Sequence, residues 1–295
     1  MALRHIIISM LFSECLSLKY VDLSYSLHND SMHWPTAIPV SVQVVAKGKA
    51  SGGYWYESNN ICLAEHTGTH LDAPAHFFKD RWHVDEIPLS HLIGPGVVLD
   101  IQDKVKDNPL AELTVSDITS WTDANGPLPD GVIVFVLTGW GSRYGNKSAY
   151  FGPNSSGGSN LTFPGISVDA AKHLTAYYND TGRRVVGVGL DTPSVDNGAS
   201  VTFPTHVELF EHNVYGLENV ANLEMLPGKG FQVTVMPMKI REGSGGPARI
   251  FATIPGADDA GCASATAHTS ARSSAVTYLA PVLFILIAIV LIVTI

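Results

Sequence analysis

Six short runs rich in β-branched residues punctuate the chain: Tyr20 to Ser24, Val40 to Val45, Gly96 to Ile101, Val132 to Leu137, Val185 to Leu190 and Phe231 to Pro237. Apolar runs of this length predict buried strands. Between several of them, apolar residues at helical spacing predict helices over Ser116 to Trp121 and Ser167 to Tyr178. Ser167 is placed to cap the second helix, with Ala170, Ala171 and Leu174 on one face. Strands alternating with helices predict an α/β fold, a single domain with a mixed sheet. The stretch Phe151 to Leu161, crowded with Gly, Ser and Asn, predicts a surface loop. Neither an internal repeat nor a second domain is visible.

The pattern changes at both ends. An apolar run from Ile6 to Phe12 follows Arg4 and His5, and Cys15 and Ser17 offer small residues for cleavage. Residues 1–17 therefore predict a secretory signal peptide; with Glu14 so close, a first buried strand is the alternative. Residues 278–295 carry no charge and follow the small cluster Gly261 to Ala265 and the polar stretch His268 to Ser274. That order predicts a GPI attachment signal, a spanning helix being the alternative. The expected division is a signal over 1–17, a catalytic domain over 18–254, a polar spacer with the anchor site over 255–277 and a hydrophobic tail over 278–295. It places the protein in the secretory pathway, held to the extracellular face of the plasma membrane. Sequons at Asn29, Asn146, Asn154, Asn160 and Asn179 agree with that route. Of the three cysteines, Cys62 alone falls securely inside the domain, so no disulfide framework is expected.

Composition narrows the function. A chain of 295 residues with 45% hydrophobic and 15% charged residues supports a sizeable core. A net charge of −9 lacks the footprint of a nucleic-acid binder, and phosphate-binding signatures of the Walker or dinucleotide type are absent.

The chemistry concentrates in one segment, His66-Thr67-Gly68-Thr69-His70-Leu71-Asp72-Ala73-Pro74-Ala75-His76. His66, His70, Asp72 and His76 share parity with Gly68 and Pro74, so an extended strand would turn them to one face. Full extension would put His66 about 13 Å from His70, at roughly 3.3 Å per residue. Ligand bonds of about 2 Å cannot bridge that gap, so the chain must bend near Gly68. Pro74 fixes a second change of direction before His76, and Gly68, Pro74 and the β-branched threonines disfavour a helix. Imidazole with carboxylate suits zinc or manganese, and the ligand set alone does not choose between them.

That signature resembles the metal-dependent cyclase family, whose members include bacterial-type kynurenine formamidases. Further blocks carry the likeness: Val21-Asp22-Leu23-Ser24, Trp34-Pro35, Thr138-Gly139-Trp140, Pro164 to Ser167, Gly189 to Ser194, and later His206, Glu218, Asn219, Pro237 and Gly246 to Arg249. The resemblance implies a swivelling β/β/α fold and a homo-oligomer, dimer or larger. It implies that His66, His70 and Asp72 bind one metal, and that Asp72 bridges to a second held by His206 and Glu218. The implied cofactor is two zinc ions per site, with manganese possible, and His76 becomes the acid/base. An unperturbed imidazole pKa near 6.5 suits that role. Trp34, Trp55 and Phe77 are candidates to stack on an aromatic substrate, plain core packing being the alternative. His83, His91, His173 and His212 are read as surface or core residues.

The implied activity is metal-dependent amide hydrolysis of a small aryl amide, N-formyl-L-kynurenine to kynurenine and formate. Two alternatives remain: a hydrolase of another small amide or lactam such as isatin, and a non-catalytic surface-displayed binding protein of the same fold.

Overall fold

The protein is described here by a computed structural model covering residues 18–153 and 155–256. The expected signal segment, anchor site and apolar tail, and the sequon at Asn154, lie outside the described residues. Among the described residues no helix is long and apolar enough to cross a membrane.

The strands, in chain order, are β1 (Leu18–Asp22), β2 (Ser41–Lys49), β3 (Trp55–Cys62), β4 (His70–Asp72), β5 (Ile93–Asp100) and β6 (Glu112–Leu113). They continue with β7 (Val132–Leu137), β8 (Gly165–Ile166), β9 (Val185–Leu190), β10 (Tyr215–Glu218), β11 (Phe231–Pro237) and β12 (Gly245–Pro255). The helices are α1 (Leu89–Leu92), α2 (Gln102–Asp107), α3 (Val115–Asn125), α4 (Lys147–Phe151), α5 (Val168–Thr181) and α6 (Pro204–Glu211).

One mixed sheet runs β1-β12-β11-β5-β7-β9-β10-β4, and β4 pairs again with β12, so the sheet closes on itself. β5, β7, β9 and β10 are parallel, while β11, β12 and β4 join antiparallel. The parallel strands β7 and β9 are buried at every position, because both faces are covered. Alternation sorts their side chains. Val132, Val134 and Val136 join Ile118, Leu174 and Leu209 of α3, α5 and α6 in an outer core. Ile133 and Phe135 join Leu71, Tyr215, Leu217, Val233 and Ile250 in an inner one. Gly187 belongs to this inner packing, since a Cβ there would stand 2.3 Å from the Tyr215 ring.

The mixed α/β architecture expected from the pattern is present, and all six apolar runs fall on strands, β7, β9 and β11 residue for residue and β1, β2 and β5 with shifted ends. Ser167 caps α5, its side chain accepting from the Ala170 N–H at 3.2 Å. The predicted loop over Phe151 to Leu161 is only partly a surface loop. Phe151 ends α4 and both Phe151 and Leu161 pack into the outer core. β3, β4, β6, β8, β10 and β12 go unpredicted, as do α1, α2, α4 and α6.

Candidate metal centre

The site forms where β4 closes the sheet. Leu71 of β4 points into the inner core, so alternation turns His70 and Asp72 to the opposite face. On β10, Leu217 points inward likewise, and Glu218 and Gly216 stand across from His70 and Asp72. On the other flank, Gly245 of β12 stands opposite Asp72. A Cβ on Gly245 would lie 2.6 Å from the Leu71 carbonyl oxygen and 2.7 Å from the His66 ring. Glycine there is what lets His66 lie against Asp72.

Gly68 takes φ +60° and supplies the required bend, bringing the His66 and His70 ring centroids to 5.3 Å. Pro74 opens a single 3-10 turn, Pro74–His76, where an extended continuation was expected to change direction. The turn folds His76 back to stack on His66 at 3.9 Å. His206 arrives from α6, whose N-terminus is held by Asp196. The Asp196 carboxylate accepts from the Thr205 and His206 backbone N–H groups, both at 3.1 Å. Its Oδ2 also lies 2.6 Å from His206 Nδ1.

The five residues expected as ligands converge. His66 Nδ1 lies 2.6 Å and His70 Nε2 3.1 Å from Asp72 Oδ1. His206 Nε2 lies 3.4 Å from Asp72 Oδ2 and 3.2 Å from Glu218 Oε1, and His70 Nε2 lies 3.4 Å from Glu218 Oε2. Donor atoms of His70, Asp72 and Glu218 sit within 4.8 Å of one another, and so do those of His66, Asp72 and His76. Asp72 belongs to both groups, and His76 is therefore in ligand range as well as beside the cavity.

The donor set fits a divalent cation. His70 Nε2 is buried without a hydrogen-bond partner among the described residues, although two carboxylates face it. Protons partly do a cation's work. Burial disfavours an imidazolium, yet Asp72 and Glu218 hold His70 up at about 10 and, with Asp196, raise His206 well above its ordinary value. Against the cost of burial, His66 and His70 hold Asp72 well below the usual carboxylate range. His76 goes the other way. Burial pushes it down to about 4, with Asp72 opposing and His66 adding to the fall.

A cavity of about 350 Å³ opens over this centre. Trp34, Phe77, Phe151, Phe203 and Pro193 line it beside the ligand set, with His33, Ser194 and Asn219 as further polar groups. Trp34 and Phe77 are thus placed at the cavity, and Phe77 packs 4.5 Å from the His206 ring. Trp55 is not: it stands 64% exposed on β3, outside the lining, in the β2–β3 hairpin that forms a two-stranded sheet of its own. His83, His91, His173 and His212 lie outside the lining too. The sequence reading missed Asp196, Ser194, His33, Phe151 and Phe203. Asp196 had a faint signal, standing just beyond the block Gly189 to Ser194 and ahead of His206.

Imidazoles and carboxylates converging under an apolar cavity define a hydrolase that works through a divalent metal. The family model described as "Putative cyclase" matches residues 21–197, and the chain belongs to that cyclase family. It is 31% identical over 213 residues to an isatin hydrolase of Roseibium aggregatum, covering 70% of this chain and 78% of that one. It is 26% identical over 231 residues to a kynurenine formamidase of Bacillus cytotoxicus, covering 78% and 95%. Among solved structures, isatin hydrolase A from Labrenzia aggregata bound to benzyl benzoate superposes with a TM-score of 0.71. It is 29% identical and covers 81% of this chain and 94% of that one.

Proposed function

We propose that the protein hydrolyses small, neutral aryl amides or lactams of the isatin type. The observation that carries this reading is the cavity wall. Beside the residues of the centre it is mostly aromatic or apolar, its further polar groups His33, Ser194 and Asn219 include no Lys or Arg, and its carboxylates Asp72 and Glu218 are committed to the centre. A flat uncharged ring gains from such a wall, whereas a charged group would be desolvated there without a partner. N-formyl-L-kynurenine carries an ammonium and a carboxylate beyond its aryl amide. Its hydrolysis to kynurenine and formate is the second reading, favoured by the likeness to a kynurenine formamidase along nearly that protein's whole length.

Two zinc ions, or manganese, would be held by His66, His70 and Asp72 and by Asp72, His206 and Glu218. When bound, such ions supply a Lewis acid for a carbonyl oxygen and lower the pKa of water. The chain's own groups do the rest. Trp34, Phe77 and Phe203 clamp the ring and exclude water from the buried side. His76 is neutral at pH 7 because burial pushes it down to about 4, so its ring can take a proton, though as a weak base, and gives it up readily. This replaces the expectation of an unperturbed imidazole. The proton taken from attacking water passes to the nitrogen of the breaking C–N bond, so the aryl amine leaves neutral.

Turnover of isatin and of N-formyl-L-kynurenine by protein spanning residues 18–261 tests the reading. Isatin should be the better substrate by kcat/KM; a preference for N-formyl-L-kynurenine reverses the order, and turnover of neither removes both. A homo-oligomer, dimer or larger, is proposed with it, supported by Val44, Tyr54, Trp55, Tyr56 and Ile61 exposed on the β2–β3 hairpin. Sedimentation of the protein checks that. Residence on the extracellular face is also a proposal, supported by exposure of Asn29, Asn146, Asn160 and Asn179. Glycan mapping on protein from a secreting host checks it.

A further inference from the structure

His70 and His206 turn their Nε2 atoms to the centre, and His66 sits the other way round. Its Nδ1 lies 2.6 Å from Asp72 Oδ1, while its Nε2 meets Ser244 Oγ at 3.0 Å. Ser244 in turn faces Glu65: its hydroxyl lies 2.6 Å and its backbone N–H 3.1 Å from Glu65 Oε2. Backbone bonds fix the serine in place. The Ala73 N–H, just past Asp72, donates to the Ser244 carbonyl at 2.9 Å, and the Val84 N–H donates to the Gly243 carbonyl at 2.9 Å. Glycine at 243 leaves room for the acid, since a Cβ there would stand 3.0 Å from Glu65 Oε1. Neither Glu65 nor Ser244 lines the cavity.

The direction of each bond follows from what the groups can do. A carboxylate only accepts, so the single hydroxyl proton of Ser244 goes to Glu65. Toward His66 the serine oxygen is then left as an acceptor, which puts the imidazole proton on Nε2 and leaves the Nδ1 lone pair facing Asp72. The hydrogen bond at one ring nitrogen decides which nitrogen is free for a metal. We propose that Glu65, acting through the Ser244 hydroxyl, is a positioning residue that fixes His66 as an Nδ1 ligand. The inference rests on the metal-centre reading above and deepens it. Both residues act through His66 and touch no substrate.

The test uses the full chain and zinc, with affinity read by chelator competition. Ser244→Ala should weaken zinc about 10- to 100-fold, the usual loss when a ligand's outer partner is removed. Glu65 keeps its bond to the Ser244 backbone N–H in that variant, so the loss reports the hydroxyl alone. Glu65→Ala should weaken zinc as well, and the double variant should lose no more than the weaker-binding single variant, because both changes break one chain of bonds. Additive losses would mean two separate structural effects and overturn the assignment. Ser244→Thr keeps the hydroxyl and should bind zinc more tightly than Ser244→Ala; the opposite order counts against the relay. In zinc-loaded protein with nitrogen-15 histidine, His66 should carry its proton on Nε2 and zinc on Nδ1, and His70 and His206 the reverse. Zinc on His66 Nε2 sinks the proposal. If the parent binds zinc and Ser244→Ala binds it as tightly, the positioning role alone falls. If the parent binds no zinc, the metal-centre reading falls with it.

Discussion

An imidazole binds metal well only when its other nitrogen is held, and the four histidines here differ in what holds them. His206 Nδ1 is fixed by Asp196 at 2.6 Å, which leaves Nε2 toward Asp72 and Glu218. His70 Nδ1 faces the Gly68 carbonyl at 2.9 Å, leaving its Nε2 for the centre. Asp196→Asn should lower metal affinity about 10- to 100-fold, read by chelator competition, because the partner that orients His206 loses its charge. His76 is positioned by stacking on His66. His76→Ala should cost about 10² to 10⁴ in rate with metal per chain unchanged, as for a lost acid or base. His70→Ala should lose metal and activity together. Equal metal loss in the two variants would make His76 a ligand. The signature residues were legible because their side chains declare their chemistry in one short segment. Asp196, Ser194 and Phe203 were not, because an Asp, a Ser or a Phe acquires its role from where the segment before α6 is laid, and only the fold fixes that.

Elements follow the same division between local and non-local causes. β7, β9 and β11 match their apolar runs residue for residue: β7 and β9 are buried on both faces and apolar throughout, while β11 buries every second residue. The seam strands β4 and β10 are short and present polar side chains to the site, so neither length nor alternation marks them. Their pairing also joins segments far apart in the chain, with Glu218 opposite His70. β3 reads as polar, yet Gly52-Gly53 ahead of it was a usable hairpin signal. α5 was legible from its cap. Ser167→Ala removes the acceptor for the Ala170 N–H and should cost about 1 kcal/mol in denaturant unfolding. Because Ser167 touches no member of the centre, kcat/KM should not change; a matching loss of activity would mean that α5 transmits strain to α6.

At the scale of the whole molecule, the centre is also the clasp of the fold, because β4, β10 and β12 close the sheet through the residues that would hold the metal. Two carboxylates buried at that seam need positive charge. In metal-free protein the imidazoliums of His70 and His206 supply it, His70 being held up at about 10. A group whose folded pKa is raised contributes stability that is fully present below its ordinary value, roughly 6.5, and is lost as pH rises through the folded value. Metal-free protein should therefore lose Tm between pH 6.5 and about 10. Asp72, held low, works at the other end: its contribution is present above the ordinary carboxylate value and lost only in strong acid. Bound metal replaces the protons and needs neutral imidazoles, so its affinity rises over the same window in which the protons leave. The stabilisation conferred by metal follows its concentration over Kd and should grow with pH. Thermal unfolding of chelated and reloaded protein at pH 6, 7.5 and 9 reads this directly. The two curves should lie nearest at pH 6 and separate progressively toward pH 9. A gap that stays constant or narrows would show that the protons and the metal do not compete for these histidines, and that the clasp is held by something other than the centre.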